Sequence, residues 1–206
     1  METHPTTRNA IRIGDIAPDF QARTTRGSLQ LSDLRGNWVL FFSHPADFTP
    51  VCSTEFAELA RRQEEFDALE CRLLGLSVDS LYAHLAWVRA IDSLFGVEVR
   101  FPIIEDPSMA IGRAYGMIDD VSADSTAMRA SFFIDPDGII RAINWYPHNV
   151  GRSVEEMLRI LKALQTVSTK AVLTPEGWHE GEPLLLPPAD TLTGEADWFC
   201  RLAQNP

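Results

Sequence analysis

The spacing of apolar positions changes several times along the chain, and each change marks an element. Trp38-Val39-Leu40-Phe41-Phe42 is an unbroken apolar run of the length of one fully buried strand. Behind it Phe56, Leu59, Ala60, Phe66 and Leu69 recur close to helical spacing, which predicts helix over 53–69. Cys71 to Val78 reads as a second core strand. Leu85, Val88, Ile91 and Leu94 share one face of a helix over 81–94, and Gly96 follows as its stop. Phe101 to Ile104 is a short strand and Ser108 to Tyr115 a short helix. Ser131–Ile134 and Ile139–Trp145 form a hairpin across Asp135-Pro136-Asp137-Gly138, a strong turn signal. Ser153 is an N-cap with Glu156 completing a capping box, and Met157, Leu158, Leu161 and Leu164 stripe the helix behind it. At the other end Met1 to Asn9 is polar and reads as frayed. Gly14 to Phe20 opens the fold, 21–30 suits a hairpin around Arg26-Gly27, and 31–37 a turn.

Strands alternating with helices and closing on a hairpin indicate an α/β sheet with helices on both faces. The pattern changes near Thr169. Beyond it Pro175, Pro183, Pro187 and Pro188 interrupt helix and strand alike, yet Trp178, Trp198 and Phe199 remain. Large aromatics in an irregular segment need a surface to bury them. The expected organisation is a domain over 10–168 and an irregular C-terminal arm over 169–206 that packs on a partner subunit. There are no internal repeats and no low-complexity tract.

Charge and composition narrow the function. A formal net charge of −11 with no basic cluster argues against nucleic acid as partner. No apolar run has the length of a bilayer span, and the N-terminus has neither a basic nor an apolar leader region, so the expected location is the cytoplasm, away from membranes. Three cysteines, Cys52, Cys71 and Cys200, are few, odd in number and far apart. They make neither a secreted disulfide framework nor a C-x-x-C zinc or dithiol pair.

The chemistry gathers at His44-Pro45-Ala46-Asp47-Phe48-Thr49-Pro50-Val51-Cys52. This segment leaves the buried strand and enters the helix, so Cys52 belongs to the first helical turn. Backbone N–H groups there are unpaired and the helix dipole favours an anion. A thiolate is the anion on offer. Buried cysteines are often mere small hydrophobes, which is the natural reading of Cys71 inside its apolar strand.

The P-x-x-x-T-x-x-C spacing resembles the active-site motif of the peroxiredoxins, and Ser43 to Cys52 resembles their 1-Cys-type subfamily. Further resemblance runs through Leu76-Ser77-Val78-Asp79-Ser80, Phe101-Pro102-Ile103-Ile104, Arg129 to Pro136, and Tyr146 to Arg152. It implies a thioredoxin-like fold with peroxiredoxin extensions, and a thiol-dependent peroxidase acting on hydrogen peroxide and alkyl hydroperoxides. It implies no metal, haem or flavin, since sulfur carries both electrons. The resemblance further implies a homodimer, with rings of dimers as a further level. The strand over 139–145 is a candidate seam, because Trp145 and the adjoining Tyr146 would otherwise be awkwardly exposed.

The same resemblance assigns roles. Cys52 is the nucleophile. The Thr49 hydroxyl can accept from the peroxide and donate toward sulfur, and Pro45 shapes the loop and excludes water. Arg129 brings a fixed guanidinium fork to the sulfur and the peroxide oxygens. Glu55 reads either as an exposed acid at a helix start or as the bidentate holder of Arg129. Arg152 is either a solvated helix-start residue or a second site arginine, and His44 either packs or hydrogen-bonds toward sulfur or peroxide. Cys200, in Asp197-Trp198-Phe199-Cys200, resembles the tails of 1-Cys-like members with an added C-terminal cysteine. It either packs with its aromatic neighbours or resolves the Cys52 sulfenic acid of the partner subunit. A strict 1-Cys cycle would instead draw on an external thiol, such as thioredoxin or glutaredoxin with glutathione.

Rival activities have weaker support. A lipase-type G-x-S-x-G is absent: Arg35-Gly36-Asn37-Trp38-Val39 lacks the serine, and Gly75-Leu76-Ser77-Val78-Asp79 lacks the last glycine. An oligomeric holdase or redox relay is the alternative from a different class. A general thiol–disulfide oxidoreductase lacks its C-x-x-C.

Overall fold

The structure, a computed structural model, describes residues 11–118, 124–188 and 199–203. The polar end at Met1–Asn9 and the Asp197-Trp198 pair lie outside the described residues. The chain divides into two compact units, Met1–Arg152 and Ser153–Pro206. The second unit includes the long C-terminal helix as well as the segment that follows it.

The first unit is built on seven strands: β1 (Gln21–Thr24), β2 (Gly27–Gln30), β3 (Trp38–Ser43), β4 (Cys71–Ser77), β5 (Ile103–Glu105), β6 (Arg129–Ile134) and β7 (Ile140–Tyr146). Their order across the sheet is β2-β1-β5-β4-β3-β6-β7. The three central strands β3, β4 and β5 run parallel, while β6, β7, β1 and β2 add antiparallel flanks. Every residue of β3 is buried, which is why the apolar run has no alternation: a central strand is covered on both faces.

The helices in this unit are α1 (Pro50–Arg61), α2 (Gln63–Ala68), α3 (Leu81–Phe95) and α4 (Ala110–Ala114). Residues Leu31–Leu34 form a 3-10 turn before β3. One sheet face carries Phe41, Leu74, Leu76, Phe132 and Ile134 beneath Ile111 and Tyr115 of the α4 region. The other carries Phe42 and Gly75 beneath Phe56 of α1, which in turn meets Trp87 of α3. Gly75 matters here: a Cβ at this position would lie 3.2 Å from the Phe56 ring, so its absence lets α1 settle close to the sheet.

Two expectations are corrected. The helix foreseen over 53–69 is broken at Arg62, whose ψ of 10 separates α1 from α2. In α3 the buried face is His84, Trp87 and Ile91, with Leu94 left exposed. The apolar stripe was therefore rotated, because a histidine occupies an inward position. The helix boundaries follow the sequence signals: the Ser80 hydroxyl accepts from the Ala83 N–H, and Gly96 closes α3 at φ 66. At the β6–β7 turn Asp135 accepts from the N–H groups of Asp137 and Ile139.

In the second unit α5 spans Val154–Thr169. Ser153 accepts from the Glu156 N–H, but the Glu156 carboxylate pairs with Arg159, so only half of the capping box forms. After α5 the chain makes single bridges, Leu173 with Leu185 and Leu185 with Leu202. Trp178 is buried within this one chain, and its indole N–H donates to the Glu182 carbonyl. Phe199 and Leu202 stay exposed. No helix among the described residues is long and apolar enough to cross a membrane.

Candidate active site

Cys52 stands in the first turn of α1. Thr49 is the N-cap, Pro50 opens the helix where a missing N–H costs nothing, and the first intrahelical bond runs from Ser53 N–H to the Thr49 carbonyl. The N–H groups ahead of Ser53 therefore have no intrahelical partners. Phe48, just before the cap, adopts φ 57 and is exposed. A bulky residue in the left-handed region marks a tightly constrained loop.

The sulfur is fully buried and touches a charge. Arg129, the first residue of β6, donates from Nη1 to Cys52 Sγ at 3.3 Å and to Glu55 Oε2 at 2.8 Å. Its Nε and Nη2 both donate to the His148 carbonyl, at 3.0 and 2.9 Å, which fixes the plane of the fork. Glu55, one turn along α1 from Cys52, is the hub of this arrangement. Arg152 donates to its Oε1 from the backbone N–H at 2.7 Å and from Nε at 3.0 Å, and to its Oε2 from Nη2 at 2.8 Å. The remaining Arg152 nitrogen donates to the Ala130 carbonyl and the Ser131 hydroxyl, and the guanidinium lies over the Phe42 ring.

All three charged side chains are buried. Burial pushes the Glu55 carboxyl up, but the hydrogen bonds and charge of Arg152, with that of Arg129, outweigh it and hold the group below its usual range. Two guanidiniums against one carboxylate leave one net positive charge beside the sulfur.

The structure thus brings together Cys52, Arg129, Glu55 and Arg152, and it changes one detail. The bidentate partner of Glu55 is Arg152, whereas Arg129 meets it with a single nitrogen because its other donors are held by His148. Thr49 lies at the helix cap with its hydroxyl donating to the Ala46 carbonyl at 2.8 Å. That proton is engaged, which leaves the oxygen to accept. Pro45 is buried in the same loop. His44 is buried, stacks on Trp87 and meets Phe56 edge-on, and its Nε2 lies 2.8 Å from Asp47 Oδ1. Cys71 is buried in β4, where burial pushes its thiol up to about 12. Cys200 is exposed and lies in the second unit.

Sequence reasoning missed Asp47, Asp79 and His84. Asp79 accepts from the Asp47 N–H and the Ser77 hydroxyl, pinning the loop ahead of the cap. His84 contacts Asp47 from α3. The available signal was position: His84 precedes Trp87 and Ile91 by three and seven residues, on their face of the helix.

Residues 13–143 match the AhpC/TSA family, and residues 163–199 match the C-terminal domain of 1-Cys peroxiredoxin. The chain is 49% identical over 180 residues to peroxiredoxin 2 of Caldanaerobacter subterraneus subsp. tengcongensis, covering 87% of this chain and 81% of that protein. It is 46% identical over 182 residues to peroxiredoxin 2 of Picrophilus torridus, covering 88% and 90%. Among solved structures, the yeast mitochondrial 1-Cys peroxiredoxin, studied for thiol resolution by glutathione and thioredoxin systems, superposes with a TM-score of 0.80 at 39% identity, covering 86% of this chain and 87% of that one. A cysteine-to-serine mutant of peroxiredoxin 6 from Arenicola marina gives 0.83 at 33% identity, covering 91% and 88%. The sheet order, the helix-capped sulfur and these likenesses converge: the fold is thioredoxin-like, and the chain belongs to the peroxiredoxins, the thiol-dependent peroxidases.

Proposed function

We propose that Cys52 is the peroxide-reactive sulfur and that its substrates are hydrogen peroxide and small alkyl hydroperoxides. The contact that carries this reading is Arg129 Nη1 at 3.3 Å from Cys52 Sγ, at the start of a helix. The thiolate attacks the distal peroxide oxygen and the O–O bond breaks. That oxygen, with its hydrogen, stays on sulfur as sulfenic acid, and the alkoxide or hydroxide leaves and takes a proton from water. Arg129 donates to the charge shed along the O–O axis, Thr49 accepts from the peroxide, and Pro45 keeps water from the sulfur. Glu55 and Arg152 hold Arg129 in place. His44 retains an unpartnered Nδ1 for a hydrogen bond with peroxide or its product.

Cys200 is the resolving thiol in this reading, reaching Cys52 of a second copy and closing an intersubunit disulfide. Its exposure, with that of Phe199 and Leu202 beside it, supports an arm over 169–206 that meets a partner surface. Because Cys52 is buried and a bridge needs Cα atoms within about 7 Å, the first turn of α1 opens for it. Edge strand β7, with Trp145 about half exposed, is the seam of the homodimer. Rings of such dimers are a further level of the proposal. A thiol reductant of the thioredoxin or glutaredoxin/glutathione kind completes the cycle, in the cytoplasm, where free thiols such as these three persist.

The test is one equivalent of hydrogen peroxide on the reduced protein, followed by a non-reducing gel beside Cys52→Ser and Cys200→Ser. A covalent dimer lost in either variant supports the pair. A monomer carrying oxidised Cys52 makes the enzyme strictly 1-Cys, recycled from outside. An unreactive Cys52 sinks the assignment and leaves a holdase or relay role.

A further inference from the structure

Two members of a buried cluster beside the site, Asp47 and His84, have no part in the chemistry above. His44 follows β3, Asp47 lies in the same loop, and His84 stands on α3; all three side chains are closed to solvent. Asp47 Oδ1 is 2.8 Å from His44 Nε2, and its Oδ2 is 2.7 Å from His84 Nδ1. His84 Nε2 is 3.1 Å from the Ile104 carbonyl. Among the described residues, none hydrogen-bonds to the buried His44 Nδ1.

Counting protons fixes the state of the cluster. A carbonyl only accepts, so His84 Nε2 carries hydrogen. The His84–Asp47 contact joins a ring nitrogen to a carboxylate oxygen and needs one proton between them. The pair is therefore imidazolium with carboxylate, or neutral imidazole with carboxylic acid. In either case the other Asp47 oxygen is an acceptor, and His44 Nε2 must donate to it. Protonation of His44 at Nδ1 would place an N–H where nothing accepts it, a situation protein interiors avoid. Burial also holds the His44 imidazole below its ordinary range, against a second proton. Asp47 complements this: burial pushes its carboxyl up, but the contacts with His44 and His84 outweigh it and hold the group low.

Two imidazoles and a carboxylate are also a metal-binding set. Yet ligand atoms around a tetrahedral ion stand more than about 3 Å apart, and these contacts of 2.7 and 2.8 Å are hydrogen-bond lengths. The cluster shares protons.

We propose that His84 is a positioning residue of the peroxidase site: acting through Asp47, it locks His44 as the neutral imidazole with hydrogen on Nε2 and a bare, accepting Nδ1. The His44 ring lies against Phe56, one turn along α1 from Cys52, with centroids 4.7 Å apart. As the attacked oxygen passes to sulfur, a bare nitrogen there takes over its O–H from Thr49, and it accepts from the sulfenic acid O–H afterwards. No proton changes hands on His44, so the lock has to hold one tautomer through the whole step. This use of the lock rests on Cys52 reacting with peroxide; the tautomer itself does not.

The experiment reads the two separately. Two-bond ¹H–¹⁵N correlation spectra of the reduced, full-length protein at neutral pH report each imidazole nitrogen. The expected result is a protonated-type Nε2 and a bare-type Nδ1 for His44. His84→Phe cuts the contact with Asp47 while filling the space. In that variant the bare Nδ1 signal moves toward the protonated type, and the rate of sulfenic acid formation falls at least about tenfold, as when a histidine loses the carboxylate that sets its tautomer. His84→Asn, which can still donate to Asp47, restores the signal and most of the rate. A residue that merely filled space would rank the variants in the opposite order. A wild-type His44 protonated at Nδ1, or a His84→Phe protein with unchanged signal and rate, overturns the proposal. A normal tautomer with a Cys52 that ignores peroxide leaves the lock standing and removes the peroxidase role instead.

Discussion

Replacing Arg129 with methionine isolates what one guanidinium does for the sulfur. Arg129 Nη1 lies 3.3 Å from Cys52 Sγ, where a full opposite charge is worth about 5 kcal/mol at an effective dielectric of about 20. Glu55 touches the same nitrogen and works against that attraction, while Arg152 works against Glu55. The surviving benefit is better gauged as one hydrogen bond to a charged partner, about 1.5–3 kcal/mol. At about 1.4 kcal/mol per factor of ten, peroxide attack slows roughly 10- to 150-fold. The Glu55–Arg152 pair stays whole and neutral in this variant, so the fold persists. Arg129→Lys retains the charge without the fork that His148 orients, and falls between wild type and Arg129→Met. The assay is single-turnover oxidation by hydrogen peroxide, with sulfenic acid trapped and quantified by mass. A folded Arg129→Met protein reacting within about threefold of wild type would refute the reasoning, because the contact would then contribute less than its weakest plausible value.

Other outcomes follow from the same geometry. Glu55→Gln leaves two buried guanidiniums facing one acceptor oxygen, and should cost about 3–5 kcal/mol in urea unfolding, the range for a buried pair losing one member; a loss below about 1 kcal/mol contradicts it. Stability should fall in acid in two stages. The unfolded chain protonates at His44 first, below about pH 6.5, while burial resists this in the native state. Glu55 and Asp47, held low in the folded protein, then lose their contribution as pH drops from about 4 through their folded values. A urea midpoint flat from neutral to pH 5 speaks against the first stage. Cys71, buried with its thiol pushed up to about 12, should resist alkylation in the native protein and react on unfolding; rapid native labelling counts against its core role. In the homodimer proposed above, Trp145→Arg on edge strand β7 should shift the protein to monomer in sedimentation velocity, and an unchanged dimer would move the seam elsewhere.

Parts of this fold were legible because they depend on neighbours in sequence. The apolar run of β3, the Ser80 cap, the Gly96 stop and the Asp135–Gly138 turn are each set within a few residues. The helix start that presents Cys52 belongs to the same class, as Thr49-Pro50 fixes the cap locally. What escaped was set at long range. His84 is buried because Asp47, 37 positions away, offers it a carboxylate, and no hydropathy pattern contains that partner. One of the two sequence readings of Glu55 makes it the bidentate holder of Arg129, yet its bidentate pair is with Arg152, 97 positions away. That exchange is decided by the His148 carbonyl taking two of the Arg129 donors. The Trp178 burial shows the same limit: its irregular segment gave no hint that one chain suffices to cover it.

In the cycle proposed above, the complete burial of Cys52 gives the two halves different temperature dependences. A hydroperoxide is a slender pair of oxygens and needs only small side-chain adjustment to touch the sulfur. Any reducing thiol, whether carried by this chain or by another protein, arrives with a carbon chain and backbone behind it. For it the first turn of α1 has to come apart, and opening packed structure carries a large activation enthalpy. Cooling therefore slows regeneration more than oxidation. In that cycle the protein should accumulate with Cys52 oxidised in the cold and be released on warming: the packing of one helical turn would set how long each molecule retains a trace of the peroxide it has met.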